Sequence, residues 1–226
     1  MDALGYIDCG DNRDRIVFPW LRELITAKNP SNVLDFGCGD ARFALQLSRL
    51  VPAQIAAYER DPHMREQARL RIAAESGNVT LCEQPSAGWT KKFDAIFLQG
   101  VWMCWSTRAE CLDTLRLLAR SLAPGGLLIA SVTHPCFRDQ RFATYRTDFN
   151  RARYLDNGVP FTVFVGTPGA ETPIVDTHWN IEDTLNQALE AGLTLTRVKE
   201  HADGPAGTLP SWISFVFTPS PGAIFE

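Results

Sequence analysis

Apolar side chains at Ile16, Trp20, Leu21, Leu24 and Ile25 recur at three- and four-residue intervals and predict a helix over 15–28, which Asn29-Pro30 would end. A short apolar run, Val33-Leu34-Asp35-Phe36, then leads into Gly37-Cys38-Gly39. Beyond it Phe43, Ala44, Leu47 and Leu50 mark one face of a second helix, which gives a strand, glycine turn, helix unit. The alternation repeats as a strand near 54–58, helix 62–75, strand 78–82, strand 93–98, helix 107–122 and strand 126–132, with Pro124-Gly125-Gly126 as the turn between the last two. Such alternation predicts an α/β fold: a doubly wound, Rossmann-like parallel sheet with helices on both faces.

From about residue 133 to 178 the chain is rich in aromatics and arginines and follows neither the helical nor the strand period, so it is expected to be an insertion that covers the active-site edge of the sheet. Regularity returns with a helix at 180–191, capped by Gly192, and with strands at 193–200 and 211–218, which are expected to form an antiparallel edge hairpin. No repeat, low-complexity stretch or linker divides the sequence, so residues 1–226 are expected to form a single domain.

Composition narrows the function. With 45% apolar residues among 226 the chain can bury one substantial core, and 22 Lys plus Arg against 26 Asp plus Glu give a net charge of −4. That balance offers no general basic field, so no nucleic-acid partner is expected. The longest apolar stretches, such as Ala95–Leu98 and Leu127–Ala130, fall far short of the roughly 20 residues that span a bilayer, so no membrane partner is expected. Met1 to Gly10 carries two aspartates and no basic, then apolar, leader, which points to a cytoplasmic protein. The six cysteines contain no C-x-x-C pair, which suits reduced, largely buried thiols and no metal site.

The first strand-to-helix turn of a doubly wound sheet lies at the carboxyl edge, where ligands bind, and Gly37 and Gly39 would let the backbone approach one closely. Glu59 ends the second strand about 20 residues on, where a carboxylate accepts hydrogen bonds from ribose hydroxyls. The position that would hold the third glycine of a diphosphate-binding turn is Arg42, and Asp35 places an anion beside the turn. Asp35 would repel a diphosphate but could serve an ammonium group directly or through water. A ligand with an adenosine and an amino acid part fits these residues best. The Y-x-x-x-K pair, the P-loop and the G-x-S-x-G elbow are all absent from the sequence.

Val33-Leu34-Asp35-Phe36-Gly37-Cys38-Gly39-Asp40 resembles the first motif of the class I S-adenosylmethionine-dependent methyltransferases. Ala57-Tyr58-Glu59-Arg60-Asp61-Pro62-His63-Met64 resembles their second-strand acid, Phe93 to Gly100 their fourth-strand motif, and Leu122-Ala123-Pro124-Gly125-Gly126 the turn into strand five. His178-Trp179-Asn180-Ile181-Glu182-Asp183, followed by Ala191-Gly192-Leu193, is similar to the segment around the last helix of small-molecule members. The resemblance implies a seven-stranded sheet with S-adenosylmethionine as cofactor. Its methionine part would lie over Gly37, Cys38 and Gly39 beside Asp35, its ribose on Glu59, and its adenine next to Arg60. Where relatives often carry an acid for the adenine amino group, this chain has Gln84-Pro85-Ser86, so Pro85 and Ser86 or their backbone would substitute. Gln99 matches a polar position near the cofactor, whereas Met103 and Cys104 stand where many relatives have histidines.

Methyl transfer from a sulfonium depends chiefly on alignment and exclusion of water, and a base is needed only for alcohols or weakly acidic N–H groups. His134, directly after strand five, is the first candidate for a base or substrate-orienting group, against the reading that it caps the strand end. His178 is the second and, with Trp179, equally reads as an anchored aromatic pair. Trp102, Phe137 and Tyr145 are candidate walls for a flat acceptor, with Trp102 and Phe137 nearest the expected pocket mouth, while Trp105 and Phe149 are expected in the core. Arg138, Arg141, Arg146, Arg151 and Arg153 read as a solvated lid surface, with one or two available to clamp an anionic substrate group. Cys136 after Pro135 invites comparison with a pyrimidine-attacking nucleophile but is expected to be buried, and Gln99-Gly100-Val101-Trp102 lacks the tetrapeptide of amino-group DNA methyltransferases. The expected activity is therefore methylation of an O or N atom of a small, ring-containing metabolite, with natural-product tailoring as the setting. An RNA or protein methyltransferase and a cofactor-binding domain without turnover are the alternatives. The sequence leaves monomer and homodimer open.

Overall fold

The computed structural model describes residues 10–167, 169–202, 204 and 207–222, without the side chains of 10–12 and 87. The reading of the leader in residues 1–9, and Cys9, lie outside them. A helix that the pattern did not predict, α1 (Gly10–Ile16), precedes the one expected over 15–28, which is α2 (Phe18–Lys28). Pro19 explains the break between them: it has no N–H to donate, and in a continuous helix its ring would strike the carbonyl of Arg15. α2 buries Leu21 and Ile25 and ends at Asn29, whose φ of 46° takes the chain into Pro30.

The parallel core follows as β1 (Asn32–Phe36), α3 (Arg42–Ser48), β2 (Gln54–Tyr58), α4 (Pro62–Ala74), β3 (Val79–Cys82), β4 (Phe93–Gln99), α5 (Arg108–Ser121) and β5 (Leu122–Thr133). Capping side chains set the helix starts: Asp61 accepts from the Met64 N–H for α4, and Thr107 from the Glu110 N–H for α5. Pro124-Gly125-Gly126 lies within β5 and not before it, since Leu122 already pairs with Phe93 and the register shifts before Ala95. This is a bulge that only glycine fits, because a Cβ on Gly126 would sit 2.8 Å from the Phe93 carbonyl oxygen.

The sheet is completed by β9 (Leu193–Ala202) and β10 (Pro210–Pro219), in the order β3-β2-β1-β4-β5-β10-β9. β10 runs antiparallel to both neighbours, so the expected edge hairpin is present, inserted with its second strand against β5. One face packs beneath α2 and α3, where Phe43 meets Phe97 and Phe18 meets Phe43, edge to face. The opposite face carries Trp102, packed on Phe217 and hydrogen-bonded to Gln187 of α6 (Ile181–Glu190).

The segment that lacked a period is a second, three-stranded antiparallel sheet: β6 (Tyr145–Thr147), β7 (Val159–Thr167) and β8 (Ala170–His178). β7 does alternate, burying Phe161, Val163 and Val165. Phe164 on the opposite face hides that alternation in the sequence, and it is covered by the Arg146 guanidinium 3.9 Å above its ring. The buried face includes Tyr145 and Phe149, and the Tyr145 hydroxyl donates to the Ser211 carbonyl at 2.7 Å, which ties this sheet to β10.

Candidate active site

The turn after β1 is held from beneath. Tyr58 at the end of β2 accepts from the N–H groups of Gly37 (2.7 Å) and Cys38 (2.9 Å), which fixes the loop at the carboxyl edge between β1 and β2. Gly37 (φ 78°) is required by packing, since a Cβ there would fall 2.5 Å from a Val101 methyl; Gly39 (φ 57°) would meet only the Met64 methyl at 3.6 Å. Glu59, 8% exposed, faces this loop: one carboxylate oxygen accepts from the Gly39 N–H (2.8 Å) and the other from the Asp61 N–H (2.9 Å).

Asp35 is buried, and one of its oxygens, Oδ2, has no partner; the same holds for Oε1 of Gln99, whose amide nitrogen donates to the Ile129 carbonyl. Burial raises the Asp35 carboxyl to about 7; Arg13 opposes that shift, and Glu59 and Asp40 add to it. Arg13 is a residue that the sequence reading missed. It reaches from α1 to donate to the Gln99 carbonyl oxygen (3.2 Å), and Asp14 beside it accepts from Gln46 of α3. It lies before the stretch expected to be helical, and nothing in the sequence marked it.

Of the adenine-side candidates, Arg60 bridges from the end of β2 to Glu110 and to the Cys104 carbonyl, while Pro85 is half-buried and Ser86 exposed, its hydroxyl accepting from the Gly88 N–H.

The acceptor-side candidates are arranged differently from the expectation. Trp102 is 1% exposed and spends its N–H on Gln187, so it belongs to the core and not to a pocket mouth. Trp179 is likewise buried and donates to the Trp105 carbonyl. Tyr145 is consumed by Ser211, and Phe137 lies against the His134 ring with centroids 4.7 Å apart. His134 has both ring nitrogens engaged: Nδ1 accepts from the Cys136 N–H and Nε2 lies 3.0 Å from a Glu200 oxygen, so in this arrangement the ring has no lone pair free for a proton. His178 is buried between Arg138 and the Tyr154 carbonyl, and burial, with Arg138 adding to it, lowers it to about 4. Arg138 departs from the expected solvated surface altogether: it is fully enclosed, over the Phe161 ring. Cys136 is only half-buried, with its thiol on the Tyr154 hydroxyl.

Residues 33–126 match the family model described as a methyltransferase domain. N-demethylindolmycin N-methyltransferase of Streptomyces griseus is 25% identical over 191 residues, covering 80% of this chain and 77% of that one. The CcbJ methyltransferase from Streptomyces caelestis superposes with a TM-score of 0.66 at 17% identity, covering 89% of this chain and 88% of that one. The N-methyltransferase NodS from Bradyrhizobium japonicum, solved with S-adenosyl-L-homocysteine, superposes with a TM-score of 0.59 at 15% identity, covering 89% and 84%. Residues 33–126 thus form a methyltransferase domain with S-adenosylmethionine as its cofactor, and the chain has the fold of solved methyltransferases, one of them with S-adenosyl-L-homocysteine bound.

The methyltransferase's own atoms fit that cofactor. A partnerless, buried Asp35 oxygen suits an ammonium, and the space over Gly39 suits close approach of a ligand. Each Glu59 oxygen keeps acceptor capacity after its one backbone bond, which two ribose hydroxyls can use. Among the described residues of the methyltransferase, no group of three or more His, Cys, Asp or Glu could hold a metal ion, and no helix is long and apolar enough to cross a membrane.

Proposed function

We propose that this methyltransferase transfers methyl to a nitrogen atom of a small, ring-containing natural product. The observation that carries the choice of nitrogen is the state of the two candidate histidines: both have their ring nitrogens engaged, which suits an acceptor that reacts through its own lone pair, as a neutral amine does. Two of the related proteins are N-methyltransferases by name, one of them of a Streptomyces product, and this supports the same reading. Bound S-adenosylmethionine supplies an electrophilic methyl on a sulfonium whose charge disperses as the methyl moves. In our reading Asp35 holds the ammonium, Arg13 the carboxylate, Glu59 the ribose hydroxyls, and Gln99 the edge nearest the acceptor, while Arg60, Pro85 and Ser86 border the adenine. His134 acts as a positioning residue for the segment after β5. The five described cysteines are all free, which suits a reducing, cytoplasmic setting.

The test is incubation of the protein with S-adenosylmethionine and a panel of primary and secondary amines and matched phenols, N-demethylindolmycin among them, with products read by mass. N-methyl products support the proposal. O-methyl products alone would move the acceptor atom to oxygen, and methyl found on RNA or protein would favour a macromolecular substrate.

The assignment of Asp35 predicts a pH dependence. A group raised to about 7 in the free protein must ionise to meet an ammonium, so cofactor affinity is expected to rise with pH through 7. At pH 6 it should be roughly tenfold weaker than its high-pH limit. Calorimetric titration with S-adenosylhomocysteine between pH 5.5 and 7.5, in two buffers of different protonation enthalpy, should show proton release, and Asp35→Asn should flatten the profile. A flat profile for the unaltered protein would place the ammonium elsewhere.

A further inference from the structure

The face of the sheet beneath α2 carries a row of buried polar side chains across four strands. In register, Gln99 of β4 stands beside Ser131 of β5, Ser131 opposite Ser214 of β10, Thr133 opposite Trp212, and Trp212 opposite His201 of β9. Part of this row satisfies itself: the Ser131 and Ser214 hydroxyls are 2.7 Å apart, and Ser214 meets His201 Nε2 at 2.9 Å. The part nearest the carboxyl edge does not. Thr133 Oγ1, Ser211 Oγ and Trp212 Nε1 are buried, stand on neighbouring residues, and have no partner. Buried polar groups are nearly always paired, so three orphans side by side mark a place where a polar group from outside is wanted. Trp20 of α2 roofs the far end of the row, its ring edge-on to His201.

Resting on the methyl-transfer reading above, we infer that Thr133, Ser211 and Trp212 form the anchoring subsite of the methyl acceptor and take a neutral carbonyl oxygen of a carboxamide, lactam or ketone. The donor types decide the class. An indole N–H can only donate, and the two hydroxyls can donate as well, so the cluster converges on an acceptor oxygen. The cation that bonds to this row, Arg13, sits at its Gln99 end, and none bonds to the Thr133, Ser211 or Trp212 side chains, so a carboxylate buried against them would go uncompensated and a neutral carbonyl is preferred. The subsite lies one to two strand spacings from Gln99, about 5–10 Å, which sets the separation between the carbonyl and the nitrogen that receives methyl.

The test uses a homologous series of secondary amines that carry a terminal primary carboxamide, with matched alkyl and carboxylate analogues, on the full-length protein and on Thr133→Val and Trp212→Phe. Expected is a KM at least tenfold lower for the carboxamide of fitting length than for its alkyl analogue, with that advantage largely lost in both variants. S-adenosylhomocysteine affinity should stay unchanged and Tm should be no lower, since an orphaned group has been removed. An advantage that survives in both variants, a preference for the carboxylate, or a marked fall in Tm in both variants, as expected if a buried water already serves these atoms, would overturn the subsite. If no amine of the series is methylated, binding of the same compounds to the S-adenosylhomocysteine-loaded protein, followed by tryptophan fluorescence, decides it. A carboxamide preference lost in the variants would keep the anchor while the amine reading fails, and no preference would sink the anchor itself.

Discussion

Glu59→Ala is expected to weaken S-adenosylhomocysteine binding by roughly two orders of magnitude, because it removes three supports at once. The carboxylate is the proposed seat of the ribose hydroxyls, and hydrogen bonds to a charged group contribute about 1.5–3 kcal/mol each. It also accepts the N–H of Gly39, which shapes the glycine loop, and the N–H of Asp61, which places the capping residue of α4. Removing it leaves two backbone donors of a nearly enclosed site without partners and frees the loop over which the methionine part is proposed to lie. Glu59→Gln separates these contributions: its amide keeps the shape and one acceptor oxygen, but sets an NH2 group against a backbone N–H, so an intermediate loss is expected. Calorimetric titration of both variants measures the series. A Glu59→Ala protein that binds as tightly as the unaltered one would remove Glu59 from the cofactor site.

Much of this cradle was legible in the sequence because the groups that make it are local. Gly37, Gly39 and Asp35 lie within five residues of one another, and Glu59 follows at the end of the next strand; the parallel pairing of β1 with β2 then brings them together. Arg13 was not legible, since its place depends on how α1 crosses the end of β4, and Pro19 is the one residue that signals the break allowing it. The acceptor side was read least well. Trp102 and Trp179 have the residue type of a pocket wall, but their N–H groups are taken by Gln187 and the Trp105 carbonyl, partners 85 and 74 residues away in sequence. Thr133, Ser211 and Trp212 carry no motif at all; they become a cluster only through the antiparallel register of β5 with β10. The arginine run after His134 misled for a related reason, because charge density alone does not say which arginine is enclosed.

That enclosed arginine gives the second large effect. Arg138 is 2% exposed, its guanidinium donates to His178 Nδ1 at 2.9 Å and stands 4.5 Å over the Phe161 ring, and the Thr147 hydroxyl donates to its carbonyl. Burial raises the Asp176 carboxyl to about 7, with Arg138 as the cation that opposes the shift; burial in turn lowers Arg138 to about 10, against the pull of Asp176. Arg138→Ala empties this box, removing the hydrogen bond to His178, the stack on Phe161 and the cation that opposes the Asp176 shift, so a marked loss of stability is expected. The loss should grow as pH rises from 5 to 8, because a protonated Asp176 needs no cation whereas an ionised one does. Asp176→Asn made on top of Arg138→Ala should recover part of the loss, and chemical denaturation of the four proteins of the cycle across that pH range gives the coupling. If the double variant is no more stable than Arg138→Ala, or the loss does not change with pH, Arg138 acts through packing on Phe161 and His178 and not through its charge. In either case it joins β6–β8 to the end of β5, and because we propose that this sheet covers the acceptor, a folded Arg138→Met protein should bind cofactor normally while losing turnover.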